Sequence, residues 1–295
     1  MDPLADALAR DDLTEDARGK LQGVAAVLRE DAEARLLALF FLDDEPYAAV
    51  SFGDLDDADL IVLVLHGIDT DLGQLPAWAD LTRRLCADVI RAATLRGGRG
   101  AVAAIAWFGY DSGTHLSALA TKHATIGAAR LSIDLDTVVR RNPSARIAVL
   151  AYSYSSTLFG ELVVLGGAEA VSAAFSIASA GMTHISAGAV EDRIADGRLS
   201  FYATESAHDG TAPLGRFGQH PIDPRDIDGA VVYGSDGGLV AGTDGERGEA
   251  TDGHASRTSV DEHGVTHRGY FDPQAQAYLF VVARLAELAA MPIRR

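Results

Sequence analysis

Short apolar or alternating stretches, each about as long as a β-strand, recur along most of this chain. Eight of them can be counted, over residues 36–42, 47–52, 60–66, 102–108, 147–152, 173–178, 199–204 and 230–233. Runs of four to eight residues rich in Val, Ile, Leu and Phe are typical of strands buried in a sheet. The pattern therefore predicts eight strands.

Most of these stretches are separated by segments with helix-forming composition. These segments cover residues 75–94, 117–141, 156–165 and 187–196, and a last one covers residues 273–290. Strands that alternate with helices need crossover connections and give a mainly parallel sheet with helices on both faces. Only the first two strands are joined by a tight turn, at residues 43–46, and these predict an antiparallel hairpin.

Two segments do not follow this alternation. Residues 1–35 are polar and acidic, with Leu21, Val24 and Leu28 at helical spacing, and predict an N-terminal helical lead before one domain over residues 36–295. Residues 235–264 are rich in Gly and Asp and predict a long loop, either a functional loop over a site or a mobile insertion. The carboxylates of this loop do not have the spacing of a calcium loop, so the sequence predicts no metal and no cofactor.

The fifth stretch ends at a serine that is followed at once by a helix-forming segment. Residues 146–156 read RIAVLAYSYSS, with Ser153 at the junction. This is the layout of a nucleophile elbow, in which a sharp strand-to-helix turn exposes a serine hydroxyl at a helix N-terminus. The usual pattern has Gly two residues before and after the serine, where this chain has Ala151 and Ser155. Both residues are small, and Ser153 is the predicted nucleophile.

The position of Ser153 after the fifth strand is that of the nucleophile in the α/β-hydrolase fold. That fold places the acid after the seventh strand and the histidine after the eighth. The seventh stretch of this chain leads to Asp209, which is the predicted acid, and Glu205 is left open as the alternative. The sequence therefore predicts an α/β-hydrolase fold with an eight-stranded sheet.

Three histidines follow the eighth stretch, and one of them should be the base. A serine hydroxyl is a weak nucleophile unless a neutral imidazole accepts its proton, and a buried carboxylate is needed to orient that imidazole. His267 is the predicted base because it lies shortly before the closing helix, and His254 and His263 are left open.

Two backbone N–H groups are expected to stabilise the oxyanion of the reaction. One is that of Tyr154, the residue after the nucleophile, and the other belongs to the loop after the third strand. This loop reads LHGID at residues 65–69. The His-Gly pair lets the chain turn back toward Ser153, so Ile68 is the predicted second donor, and His66 is expected to hydrogen-bond the loop.

Five short segments also carry a resemblance to a known family. They read GDLDDA at residues 53–58, LIVLVLHG at 60–67, WFGYD at 107–111, SYSS at 153–156 and HRGYF at 267–271. In these segments the chain resembles the DUF1023 family of actinobacterial α/β-hydrolases, from about residue 36 to the final helix. The resemblance implies a serine hydrolase with Ser153 as nucleophile and His267 as base, and with Asp209 by position. Members show GHSYGS at the elbow, and Ser155 replaces the second Gly of that pattern.

Composition and charge exclude several classes of partner. The 295 residues are 48% hydrophobic, enough for a large core, and a formal net charge of −17 would repel nucleic acids and anionic membrane surfaces. The first residues lack the basic start and apolar core of a signal peptide, and no apolar run is as long as a membrane span. We therefore expect a cytoplasmic protein without a nucleic-acid partner or a membrane span, and the oligomeric state is left open.

These features together predict an enzyme that acts on a small-molecule acyl substrate. The expected reaction is cleavage of a carboxylic ester or related acyl compound through an acyl-enzyme, as in serine esterases and lipases. The two missing elbow glycines favour an alternative, a catalytically inactive protein of the same fold that serves in binding or interaction. The acyl-chain length and the leaving group are not predicted.

Overall fold

The computed structural model of the protein describes residues 2–292. Its main sheet has eight strands: β1 (Arg35–Leu42), β2 (Glu45–Phe52), β3 (Leu60–Leu65), β4 (Val102–Phe108), β5 (Arg146–Tyr152), β6 (Val171–Ile177), β7 (Ser200–Thr204) and β8 (Val231–Val232). The strand order is β1-β2-β4-β3-β5-β6-β7-β8. β2 is antiparallel to β1 and β4, and all other neighbours are parallel. The predicted mainly parallel sheet is confirmed, with helices on both faces.

Within the described residues, eight α-helices accompany the sheet: α1 (Pro3–Leu8), α2 (Glu15–Glu30), α3 (Leu75–Leu95), α4 (Lys122–Arg141), α5 (Ser155–Val164), α6 (His184–Ala195), α7 (Ala212–Gly215) and α8 (Gln276–Ala290). Short 3₁₀ turns lie at Leu72–Gln74, Ser117–Leu119 and Pro224–Asp226. Buried side chains of α1, α2, α3 and α8 pack on one face of the sheet, and those of α4, α5 and α6 pack on the other. None of the described helices is both long and apolar enough to cross a membrane.

The central strands are buried on both faces, and this explains their unbroken apolar sequence. In β3, Leu60, Val62 and Val64 belong to the cluster under α3 and α8, whereas Ile61 and Leu63 belong to the cluster under α4 and α5. Strands covered by helices on both faces read as continuous apolar runs rather than alternating ones. Such runs are easy to recognise in a sequence.

Four helices begin at other residues than predicted, α5 one residue away and α4, α6 and α8 three to five residues away. The segment predicted as a helix over residues 117–141 is helical only from Lys122, because Ala120 is extended, with φ −106° and ψ 160°. α6 begins earlier than residue 187, at His184, because Thr183 caps it. The Thr183 hydroxyl accepts the N–H of Ser186, and the Ser186 hydroxyl accepts the N–H of Thr183.

The N-terminal helices belong to the same layer as α3 and α8. Leu21 and Val24 of α2 are fully buried in the cluster on that face of the sheet. Lys20 of α2 is also buried, and its ammonium group lies 2.6 Å from Glu45 and 3.0 Å from Asp71. These ion pairs join α2 to the β1–β2 hairpin and to the loop after β3.

The Gly/Asp-rich segment, together with the residues directly after it, forms two short hairpins and is not a structureless loop. β9 (Asp236–Leu239) pairs with β10 (Arg247–Ala250), and β11 (Ser259–Val260) pairs with β12 (Thr266–His267), both in the antiparallel sense. Gly237 and Gly238 have φ values of 86° and 129°, which other residues rarely adopt. These strands have two to four residues and mostly exposed side chains, so they show no apolar pattern from which they could be predicted.

Candidate active site

Ser153 lies at a strained turn between β5 and α5. Its φ is +58°, in the left-handed region, which costs a residue with a side chain about 1–3 kcal/mol. The N–H of Ser153 donates to Ile177 O at 2.8 Å, which holds the turn against the end of β6. The first turn of α5 begins two residues later, so the serine hydroxyl lies at a helix N-terminus, where negative charge is stabilised.

The residues that replace the two usual glycines of the elbow are accommodated in the fold. Ala151 and Ser155 are both fully buried. The Ser155 hydroxyl donates to Tyr152 O at 2.8 Å, and the Ser156 hydroxyl donates to Ala151 O at 3.1 Å. Both hydroxyls therefore have partners on the strand before the turn, and the sharp turn forms without either glycine.

One histidine, His254, lies next to the serine hydroxyl. His254 Nε2 is 2.9 Å from Ser153 Oγ, and His254 Nδ1 is 2.8 Å from Asp209 Oδ2. A carboxylate can only accept a hydrogen bond, so it selects the imidazole form that carries its proton on Nδ1. Nε2 is then free to accept the Ser153 proton. Ser153, His254 and Asp209 thus form one chain of hydrogen bonds in the order that activation of a serine requires.

The histidine next to Ser153 is therefore not the predicted His267, and the structure corrects this choice. His267 lies on the exposed strand β12, where its Nε2 is 3.2 Å from Asp261 Oδ2. His263 is also exposed and lies 3.7 Å from Glu262. The prediction used distance from the closing helix, but the connection between β8 and α8 folds back so that its middle, and not its end, reaches Ser153.

Asp209 is buried and is held by several hydrogen bonds. Its side chain has no exposure to solvent, and it accepts the backbone N–H groups of Thr211 and Ala212 at 3.0 and 2.9 Å and the Tyr270 hydroxyl at 3.0 Å. Burial acts to raise the pKa of Asp209, but the hydrogen bonds from His254 and from the backbone outweigh it and hold this pKa below its usual value. The carboxylate is therefore ionised at neutral pH.

Glu205, the alternative acid, has a different place in the structure. It is part of a largely buried cluster in which two arginines each contact two carboxylates; its members are Glu205, Arg216, Asp223 and Arg225. Arg216 also donates to Ser179 O at 3.2 Å. The cluster fixes the chain on both sides of α7, directly after Asp209.

The segment that carries His254 is held by the end of the HRGYF motif. The N–H groups of Tyr270 and Phe271 donate to Ala255 O and Ser256 O, both at 3.0 Å. A Cβ atom on Gly269 would come within 2.5 Å of the backbone of Arg257, so this position has room only for Gly. The motif therefore supplies the support for the histidine rather than the histidine itself, a role that the sequence reasoning missed.

The two predicted oxyanion donors flank the serine. A Cβ on Gly67 would lie 2.8 Å from Ser153 Cβ, so the loop after β3 approaches the serine as closely as Gly allows. In the described residues, neither the N–H of Ile68 nor that of Tyr154 donates to an acceptor within the protein. Both N–H groups are therefore available to a substrate oxygen.

His66 and its hydrogen bonds hold the loop after β3. Its Nδ1 lies 3.0 Å from Gly67 O, as predicted, and its own carbonyl accepts the hydroxyl of Tyr110 at 2.9 Å. Burial lowers the pKa of His66 to about 4, so this imidazole is neutral at neutral pH. Two pockets open beside Ser153. Trp107 and Tyr110 of the WFGYD segment are buried and line neither of them.

Two pockets meet at Ser153 and His254. The first, called the apolar pocket, has a volume of about 610 Å³ and is lined mainly by Leu116, Leu119, Ala180, Ala212, Leu214 and Phe217. The second, called the polar pocket, has about 680 Å³ and is lined mainly by Thr70, Gln74, Ser256, Arg257, Thr258 and Ser259. Both are large enough for a small organic ligand. Within residues 2–292, no cluster of three or more His, Cys, Asp or Glu side chains is arranged to hold a metal ion.

A family model described as alpha/beta hydrolase matches residues 43–220, a span that includes Ser153 and Asp209 and ends before His254. No curated protein matches the chain.

Solved structures with a similar arrangement of the chain include three enzymes. A dienelactone hydrolase from Anabaena variabilis is 13% identical over 89% of this chain and 100% of its own, with a TM-score of 0.46. An esterase from Pyrobaculum calidifontis is 14% identical over 97% and 95% of the two chains, and the esterase LipW from Mycobacterium marinum is 13% identical over 98% and 95%, both with TM-scores of 0.44. On the family match, which spans more than half of its residues, the chain belongs to the alpha/beta hydrolase family.

Proposed function

We propose that this protein is a serine hydrolase that cleaves a carboxylic ester or related acyl compound through an acyl-enzyme. One observation carries the proposal: the hydrogen-bonded chain of Ser153, His254 and Asp209 ends at a serine hydroxyl that faces two pockets. A buried hydroxyl, or a serine without an imidazole partner, would favour a binding protein of the same fold; Ser153 is only 3% exposed, but it lines both pockets. The contact of 2.9 Å between Ser153 Oγ and His254 Nε2 supports the enzyme instead.

In the proposed first step, Ser153 Oγ attacks the carbonyl carbon of the substrate while its proton passes to His254 Nε2. The Asp209 carboxylate stabilises the imidazolium that forms. The carbonyl oxygen becomes an oxyanion, which accepts hydrogen bonds from the N–H groups of Ile68 and Tyr154. The bond from the carbonyl carbon to the leaving group then breaks, and Nε2 returns the proton to the leaving group.

The second step frees the enzyme. Water attacks the acyl-enzyme with His254 as base, a second oxyanion collapses, and the carboxylic acid leaves as Ser153 regains its proton. No cofactor or metal is required. We also infer from the five quoted segments that the chain is a member of the DUF1023 group of actinobacterial α/β-hydrolases, with His254 and not His267 as the base.

A fluorophosphonate probe tests this proposal directly, since it reacts with activated serine hydroxyls. We expect labelling of the wild type, loss of labelling in Ser153→Ala, and unchanged labelling in Ser172→Ala, which removes a serine at the start of β6. Hydrolysis of p-nitrophenyl acetate should follow the same order. A wild type that is folded but not labelled, or labelling that persists in Ser153→Ala, would contradict the proposal.

A further inference from the structure

The two pockets at Ser153 differ sharply in chemistry, and this difference bears on the substrate. The apolar pocket is formed by the 3₁₀ turn Ser117–Leu119 and by α7 and the residues that follow it. The polar pocket is formed largely by residues 254–259, which continue from His254 itself. Ser153 lies where the two pockets join, so the two parts of a substrate on either side of a scissile bond meet different surfaces.

The position of His254 decides which part of the substrate occupies which pocket. His254 Nε2 must give a proton to the leaving group, so the leaving group has to lie on the side of the histidine. His254 itself borders both pockets, but residues 255–259, which continue from it and carry several hydroxyl groups, line only the polar pocket. The acyl group then extends into the apolar pocket, past Tyr154 and Ala180.

The mouth of the apolar pocket exposes large side chains that a substrate would cover. Leu116, Leu214 and Phe217 expose 80%, 58% and 84% of their surface, and all three line this pocket. Apolar side chains that cluster at an opening next to a reactive group are typical of a binding surface. An apolar acyl chain that leaves the interior of the pocket would lie across them.

The polar pocket carries an unpaired cation and no carboxylate. Neither Asp nor Glu lines it, although the whole chain has a net charge of −17. Asp69, Asp209 and Asp272 contact residues of its lining, and each has a partner: His115 for Asp69, His254 for Asp209, and Arg268 and Thr258 for Asp272. Arg257 makes no ion pair with any residue in the range 2–292. The guanidinium is thus free to bind a negative group on the leaving group.

We propose that the substrate is an ester or thioester with an apolar acyl chain and a polar, negatively charged leaving group. This inference rests on the proposed hydrolase function and gives it a substrate class. The apolar pocket takes the acyl chain, and Arg257 binds the anionic part of the leaving group at the rim of the polar pocket. Ser153 and His254 act at the bond between the two parts.

The acyl arm of the test uses p-nitrophenyl esters from acetate to dodecanoate. Each methylene that enters the apolar pocket should raise kcat/KM about fourfold until the pocket is filled, because burial of one CH₂ is worth about 0.8 kcal/mol. Leu214→Glu should lower kcat/KM for the long esters more than for acetate and so flatten this dependence. Ile133→Glu, at an exposed apolar residue of α4, should keep the wild-type profile.

The leaving-group arm compares two butyrate esters, of p-nitrophenol and of its ring-carboxylated form. The wild type should prefer the carboxylated ester, and Arg257→Ala should lower that preference about two- to fivefold, the range for a partly exposed ion pair. Arg247→Ala, on β10 and outside both pockets, should not change it.

The outcomes separate this inference from the proposed function. If the fluorophosphonate probe labels Ser153 but the chain-length profile is flat and Arg257→Ala changes nothing, the substrate class is wrong and the hydrolase stands. If Leu214→Glu slows acetate as much as the long esters, the apolar pocket does not bind the acyl chain. If Ser153 is not labelled and no ester is cleaved, both proposals fall.

Discussion

Ser153 and His254 reach the site from two regions that are held in different ways. Ser153 follows β5, which is paired on both sides with β3 and β6, and it precedes a helix of ten residues. His254 lies between two short hairpins, and its position depends on backbone hydrogen bonds from residues 270–271 and on the side chain of Asp209. Regular secondary structure therefore positions the serine, and individual hydrogen bonds between loops position the histidine.

The two regions also differ in where backbone strain is found. Five of the described residues have positive φ although they are not Gly: Asp43 and Asp44 in the tight turn between β1 and β2, and Asp69, Ser153 and Ala178, which follow the carboxyl ends of β3, β5 and β6. In the segment that carries His254, positive φ occurs only at glycines such as Gly253, with φ +85°. A rigid sheet can hold strained residues, whereas a loop of low stability needs residues that adopt these angles without cost.

The largest expected effect separates the two histidines of the C-terminal region. His254→Ala should lower kcat/KM for an ester substrate about 10⁴- to 10⁶-fold, because Ser153 would lose its proton acceptor. His267→Ala should stay within about twofold, because its imidazole contacts only Asp261 at the surface. Steady-state kinetics of the two variants measure this directly. If His267→Ala were the inactive variant, the loop that holds His254 would not have the arrangement described.

The sequence was sufficient to predict the strands around Ser153. The strands β3, β4 and β5 are unbroken apolar runs because both faces are buried, and such runs differ clearly from the helices between them. The predicted junction between strand and helix at Ser153 is present, between β5 and α5. Asp209 followed from a count of strands, and the structure brings it within reach of the same site.

The sequence was not sufficient to choose the histidine. His254, His263 and His267 lie within a stretch that has no apolar periodicity, and its short hairpins are mostly exposed, so no local pattern distinguishes them. What selects His254 is a set of long-range contacts, above all the hydrogen bond to Asp209, which is 45 residues away in the chain. Such contacts depend on the tertiary fold and leave no spacing rule in the sequence.

The next largest effect concerns the ion-pair cluster of Glu205, Arg216, Asp223 and Arg225, which holds the chain on both sides of α7. Arg216→Met should lower the free energy of unfolding by about 3–5 kcal/mol, because Glu205 and Asp223 would share only Arg225 in a largely buried site. Denaturation in urea measures the change. Arg198→Met, which removes exposed ion pairs to Glu169 and Asp196, should cost no more than about 1 kcal/mol. If the two variants lost the same free energy of unfolding, the cluster would not stabilise the loop that carries Asp209.

A substitution at Gly67, in the loop after β3, should affect catalysis by moving the backbone of that loop. In Gly67→Ala the new Cβ would meet Ser153 Cβ at 2.8 Å, and this atom cannot move because the elbow is fixed to β6. The loop must shift instead and carry the Ile68 N–H away from the oxyanion. We expect a loss in kcat of about 10²- to 10³-fold, typical of one missing oxyanion donor. Gly19→Ala in α2, where a Cβ meets nothing within 4 Å, is the matched control and should keep full activity.

The smallest predicted effect concerns the hydrogen bond from the Tyr270 hydroxyl to Asp209. Tyr270→Phe removes the hydroxyl that donates to Asp209 Oδ2 at 3.0 Å and accepts the Ser206 N–H at 2.7 Å. We expect kcat/KM to fall about tenfold and the free energy of unfolding to fall by about 1.5 kcal/mol, the value of a hydrogen bond to a charged group. Tyr278→Phe removes another buried hydroxyl, which donates to Asp88 at 2.7 Å, and should lower stability without changing kcat/KM.

The pH dependence of this stability difference shows whether the Tyr270 hydroxyl acts on the ionised form of Asp209. Because the pKa of Asp209 is lowered in the folded protein, its carboxylate contributes stability that is fully present above its unfolded pKa of about 3.9 and is lost as the pH falls through the folded pKa. The difference between wild type and Tyr270→Phe should therefore be constant from pH 7 to about pH 5 and shrink below pH 4. A difference that stays the same at low pH would mean that Tyr270 contributes only packing, and the loop region would then depend less on hydrogen bonds to Asp209 than its contacts indicate.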